Sequence, residues 1–168
     1  GNIMQGNLDQ FGAPEFSKEE HLYAKKYQDT LTRKHIESAY SHAGIDLVEG
    51  QVLAETVVAG DVKPVDMGGS TDVADVSWVV PTVSLWGANY AIGTPFHSWQ
   101  MTAQGKSSIA IKGMTHAAMV MAATGSDLIL NKTFLDDAWS EHNKTIEKEG
   151  YMLPISLSAS PPVKDMAP

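Results

Sequence analysis

The stretch from Ser107 to Thr124 constrains the fold of this chain more than any other, because Ile109, Ala110, Ile111, Met114, Ala117, Ala118, Val120 and Met121 leave hardly a polar side to a helical turn. A helix that is apolar nearly all round is packed on more than one side. Gly113 inside it predicts a close approach by a neighbouring helix. Such a helix needs other elements around it. A chain of 168 residues, 43% hydrophobic and 19% charged, has the length and composition for one globular domain that supplies them.

Upstream, residues 1–16 mix glycine, asparagine and proline without a sustained period and read as an irregular lead-in. Ser17 followed by Glu20 is a capping-box pattern, and Leu22, Tyr23, Tyr27 and Leu31 then fall at helical spacing, which predicts a helix from 17 to about 31. A second helix, 32–43, gathers Ile36, Ala39 and Tyr40 before Gly44 stops it. The β-rich residues after Gln51, between Gly50 and Gly60, read as a strand, and 61–70 as a loop. The run Val76 to Leu85 is broken by Pro81 and otherwise β-branched and apolar, so a buried strand is expected from about Thr82. Gly87, Gly93 and Pro95 mark a long connection. A last helix is expected to begin at Thr133 and to carry Leu135, Trp139, His142 and Ile146 as a stripe up to Gly150. Helices around a few strands predict an α/β fold, divided into the lead-in (1–16), the domain proper (17–150) and an extended, proline-rich tail (151–168).

Twelve basic against twenty acidic residues give a formal charge of -8, which repels a phosphate backbone and an anionic bilayer alike, so neither nucleic acid nor a membrane is an expected partner. There is no cysteine, hence no disulfide, thiolate metal site or cysteine nucleophile. No apolar run approaches the roughly 20 residues of a membrane span, and the opening residues lack a signal-peptide pattern. A cytoplasmic protein is the expectation, and its first residue, Gly1 instead of methionine, is what trimming or a tag scar would leave.

Chemistry-bearing residues concentrate between Gly68 and Gln104, where small residues, two aspartates, tryptophans and a histidine occupy loops flanking the expected buried strand. His97 follows Gly93-Thr94-Pro95 on a constrained loop, and neutral imidazole is the commonest metal ligand, although a lone histidine so placed is more often structural. Asp72 and Asp75, three apart, would share one face of a helical turn and could bind a cation or orient a histidine. Ser70, Thr71 or Asp72 would equally serve as the N-cap of a short helix. His21 and His35 lie in polar helical surroundings, His42 near a helix end, His116 in the apolar helix as a hydrogen-bonded core or interface residue, and His142 in a packing stripe. Met114, Met119 and Met121 are expected as core packing and not as a soft-ligand box. The HExxH, GxSxG and phosphate-loop patterns are absent.

The segments GGSTDVADVSWVVPT and GTPFHSWQMTAQGKSSIAIKGMTHAAMVMA together resemble the C-terminal third of the aminobenzoyl-glutamate utilization protein B group, within the metallo-aminoacylase and carboxypeptidase G-like metallopeptidase family. The resemblance is specific from about Gly68 to Leu130. It implies the C-terminal part of a phosphorylase/hydrolase-like zinc-peptidase catalytic domain, a few strands flanked by helices, lying after an inserted lid and dimerization domain. It further implies two divalent metals, zinc or manganese, held by histidine and carboxylate ligands, with a glutamate as general base on an activated water. His97 matches the single metal ligand of this part, and Ser70, Thr71, Asp72 and Asp75 match a loop near the metals with substrate-facing or ligand-orienting roles. Trp99 and Gln100 either line the pocket or lock the loop.

The remaining ligands and the catalytic glutamate belong to motifs that this chain does not contain, and one imidazole supplies little of the ~10 kcal/mol or more that a multi-ligand site provides. The expected function is therefore a fragment of a dinuclear-metal amidohydrolase that cleaves an acyl- or aminobenzoyl-amino acid amide, inactive alone. The expected partners are the N-terminal part of the same catalytic domain, a small amide substrate and further copies in a homo-oligomer. The alternative is a non-catalytic α/β module that associates with a partner chain through exposed apolar surface.

Overall fold

A computed structural model describes residues 1–62, 69, 71–153 and 155–163. Among them are seven helices and no strand: α1 (Asn2–Phe11), α2 (Lys18–Gln28), α3 (Arg33–Ala43), α4 (Val73–Val79), α5 (Trp99–Gln104), α6 (Ser108–Leu130) and α7 (Lys132–Glu149). The α/β expectation is thereby corrected to an all-helical arrangement, and the few-stranded hydrolase-like domain that the resemblance implied is not what these residues form. The reason lies in pairing, since a β-rich run becomes a strand only where a neighbour takes up its N–H and C=O groups. The run after Gly50 stays irregular, and the Ile92 N–H bonds the Val52 carbonyl at 2.9 Å as a single rung instead of a ladder. The run Val76 to Leu85 divides, its first four residues completing α4 and the rest continuing without regular structure.

Helices α2, α3, α5, α6 and α7 begin where the N-cap side chain accepts a free N–H of the first turn. At α2 the Ser17 hydroxyl accepts from the Glu20 N–H at 3.3 Å while the Glu20 carboxylate accepts from the Ser17 N–H at 2.7 Å, the capping box read from the sequence. Thr32 and His35 cap α3, which Gly44 ends in the left-handed conformation. Ser107 caps α6 through the Ala110 N–H. At α7 the cap is Asn131, which accepts from the Thr133 N–H at 3.0 Å, so Thr133 lies inside the helix it was expected to open. Gly150 terminates α7, and the described residues after it contain no helix or strand.

The irregular reading of residues 1–16 is likewise corrected, because Asn2–Phe11 is helical. This segment has weak local signals, and its helix is held by packing along α6, as is general for short helices. The Asn7 amide donates to the Asp127 carboxylate at 2.7 Å, and His116 Nε2 donates to the Gly12 carbonyl at 2.7 Å, as a hydrogen-bonded histidine in the apolar helix was expected to do. Gly113 admits a close approach, but from a loop: a Cβ there would meet the Ala88 carbonyl oxygen at 2.5 Å. The core under α2 consists of Ala24, Val52, Leu53, Ala91 and Ile109, with Phe16, Tyr23 and Tyr27 against it. No described helix is long and apolar enough to cross a membrane.

Candidate functional site

The turn that carries His97 is fixed from beneath by one buried amide. Gln104, at the end of α5 and 1% exposed, accepts the Ala91 N–H at 2.9 Å and donates to Thr94 Oγ1 at 3.1 Å and to the Gln100 carbonyl at 3.1 Å. Thr94 in turn donates to the Ala91 carbonyl at 2.7 Å. Gly93 is required in this loop on two counts: its φ is +90°, and a Cβ would sit 3.0 Å from the Ile36 Cα of α3. Farther along, the Ser98 hydroxyl donates to the Pro95 carbonyl at 2.7 Å and caps α5 through the Met101 N–H. Trp86 and Tyr90 both pack on Phe96, at ring separations of 5.8 and 6.2 Å.

His97 itself has φ +58°, the left-handed region in which an L side chain costs ~1–2 kcal/mol. A side chain held there at a cost, on a turn whose neighbours are all tied down, points to a role beyond packing. Its ring is exposed, and neither nitrogen hydrogen-bonds to a described residue. Trp99 packs against Tyr27 at 6.2 Å and Gln100 donates to Thr30 Oγ1 at 3.3 Å, so both tie α5 to the end of α2.

The aspartate loop has a different set of partners. Ser70 lies outside the described residues. Thr71 Oγ1 accepts the Val73 N–H at 3.3 Å, which makes it the side chain that caps α4, while Asp72 occupies the N-cap position without a side-chain bond. Asp75, exposed on the first turn of α4, accepts from the Tyr151 hydroxyl at 2.7 Å, and Tyr151 stacks on Trp78 at 5.7 Å. That hydrogen bond to Asp75 holds the Tyr151 phenol above its ordinary pKa. His142, midway along α7, donates to the Ser77 carbonyl at 3.2 Å and so pins α4 to that helix. No described contact joins Thr71, Asp72 or Asp75 to His97. Tyr151 carries no sequence signal that would have placed it on α4, since 76 residues separate it from Asp75.

Among the described residues no group of three or more histidines and carboxylates is arranged to hold a metal ion. A groove of about 520 Å³ opens between α2 and α6, lined by Ser17, Glu20, Tyr23, Ser107, Ser108 and Lys112, and shares no lining residue with His97 or the aspartates. Its wall is the ion pair of Lys112 with the buried Glu20 at 2.6 Å, which joins α2 to α6 and gives the groove a structural explanation.

No family model matches the chain, and no solved structure matches it. A p-aminobenzoyl-glutamate hydrolase subunit from Escherichia coli (strain K12) is 38% identical to it over 170 residues, a match that covers 95% of this chain and 35% of that protein. The chain thus spans about a third of the length of the curated relative it matches, and it corresponds to that protein's C-terminal part.

Proposed function

We infer that this chain, similar over nearly its whole length to the C-terminal part of a p-aminobenzoyl-glutamate hydrolase subunit, is one part of an amidohydrolase that acts on an aminobenzoyl- or acyl-amino acid amide. The observation that carries the reading is the 38% identity extending over 95% of the chain. The exposed imidazole of His97, held at a strained φ by a buried hydrogen-bond network, supports it.

The donors among the described residues do not make a metal site. Catalytic zinc takes three protein ligands, and the described residues bring no such set together, so His97 fits as one donor among others supplied from elsewhere in an assembled enzyme. There its lone pair would help hold one of two divalent ions, zinc or manganese, whose chemistry is to polarise the amide carbonyl and activate water. The chain's contribution is positional: Gln104, Gly93 and Ser98 fix the turn, and Trp99 and Gln100 fix the short helix behind it. Thr71 sets the start of α4, and Tyr151 orients Asp75, while Asp72 makes no side-chain hydrogen bond to a described residue and is assigned a substrate-facing or ligand-orienting role. On this reading the chain alone does not hydrolyse the amide.

The test is His97→Ala in the assembled enzyme. The expected result is a fall in bound zinc or manganese and in hydrolysis of p-aminobenzoyl-glutamate together, with helical content unchanged. Unchanged turnover and metal content would refute the assignment. A second reading, a helical module that associates with a partner chain, is favoured by the apolar surface the fold leaves open, including Val76, Val79, Trp86, Phe96 and Trp99. The two readings are compatible, since a part of an enzyme must also associate.

A further inference from the structure

We propose that the outward face of α6 is a docking surface for a polypeptide equivalent to the remaining two-thirds or so of the hydrolase subunit, the portion outside the match; this deepens, and rests on, the reading of the chain as one part of a hydrolase. The helix is inverted relative to an ordinary surface helix. At about 100° per residue, Ile109, Gly113, Val120 and Thr124 lie on one side and are buried. The ionisable side chains of α6 are engaged on or beside that same side: Lys112 with Glu20, His116 with the Gly12 carbonyl, and Asp127 with Asn7. The opposite side carries Ile111, Met114, Ala118, Met121, Gly125 and Ile129, spaced by three or four residues, without a charge among them. Met114 is 61% exposed and Ile129 83%.

A helix face meant for water carries charged and polar groups, and an apolar stripe about 27 Å long, as residues 111–129 make, is the mark of an interaction site. Ala118 and Gly125 in the stripe let another backbone come close, and the methionines beside them adapt to an irregular partner.

The surface area indicates how large the occupant is. A compact monomer of this mass exposes about 8,100 Å², whereas this chain exposes 12147 Å². The excess of about 4,000 Å² is shared between the outer side of α6, the open apolar groups of α4 and the 86–99 region, and the exposed residues 151–153 and 155–163, and it exceeds the ~800 Å² per partner of a standard interface. A second copy meeting this one along a single helix would leave most of that excess uncovered.

The experiment co-expresses this chain with the part of the Escherichia coli protein outside the match, tagged and as a separate polypeptide. The expected result is a one-to-one complex by size exclusion in which peroxide oxidises Met114 and Met121 as slowly as the buried Met4, while Met152, 88% exposed in the free chain, stays fast. Ala118→Glu, at an exposed position that accepts any good helix former, is expected to abolish the complex without lowering helical content. Ile111→Glu serves as the second variant if that one fails to fold. Absence of a complex, a complex that survives both variants, or a wild-type chain that shields Met114 and Met121 by dimerising with itself would each overturn the proposal. His97→Ala is expected to lower metal content and turnover while leaving the complex whole, so either reading can fail without the other.

Discussion

Glu20 is a carboxylate closed off from water, and such a group stays ionised only where several donors converge on it. Burial pushes its pKa up, but hydrogen bonds from Lys112, Ser108 and the Ser17 backbone outweigh burial and bring it down to about 2. A carboxylate whose folded pKa is depressed stabilises the fold above its unfolded pKa, near 4.5, and loses that contribution as the pH falls toward 2. The stability of the chain is therefore expected to drop on the order of 1–2 kcal/mol across that window, the exposed Lys112 partner screening part of the full shift. Urea unfolding at a series of pH values measures it, and Lys112→Met should flatten the profile; a variant with an unchanged pH dependence would remove Lys112 from the account. Half of this site was legible in the sequence. Ser17 and Glu20 announced themselves as a capping box, but Lys112 is 92 residues from Glu20 and no local pattern pairs them. The same holds at the candidate site, where Gly93 and Pro95 marked a constrained turn before His97, while its positive φ and the amide of Gln104 beneath it exist only in the folded chain.

At the scale of elements, α6 meets its neighbours through a glycine whose substitution separates two opposing effects. Alanine is the better helix former by ~0.5–1 kcal/mol. At Gly113, however, the added Cβ would lie 2.5 Å from the Ala88 carbonyl oxygen and 2.9 Å from Asn89 Cγ, and forcing the loop away costs ~1–3 kcal/mol. At Gly125 nothing lies within 4 Å. Thermal unfolding should therefore find Gly113→Ala destabilised and Gly125→Ala stabilised; two shifts of the same sign would mean that α6 does not press on the 87–89 loop. Elements that announce their own ends were legible: α2, α3 and α6 start at serine or threonine caps, and α3 and α7 stop at glycines. The strands failed because β-branched residues state a preference that only a paired neighbour can fulfil. Val52 and Leu53 are buried by α2 without being paired into a sheet, which satisfies their hydrophobicity and not their backbone preference. Helix α1 failed in the opposite direction, its residues being poor helix signals that α6 nonetheless holds in place.

The molecule exposes apolar groups on α4, on the loop and helix around His97, along the outer side of α6 and on the residues after α7, among them Met152 and Leu157, so its surface is large for its mass. This has a measurable consequence in the unfolding transition. Denaturant sensitivity, the m-value, scales with the surface newly exposed on unfolding. An unfolded chain of this mass exposes about 26,000 Å², and the folded chain already exposes 12147 Å². The difference is about one-fifth smaller than for a compact domain of equal mass. A urea m-value lower by about that fraction is expected for the isolated chain, measured where the transition is two-state. Binding of a partner along α6 and the 73–99 region would bring the two unfolding events together and raise the m-value of the complex above that of the chain alone. An isolated chain with the full m-value of a compact domain would mean that these apolar groups are already covered in solution, by collapse or by self-association, and would contradict the open surface described above. Concentration dependence of the midpoint separates those two outcomes, since self-association shifts it by mass action and collapse does not.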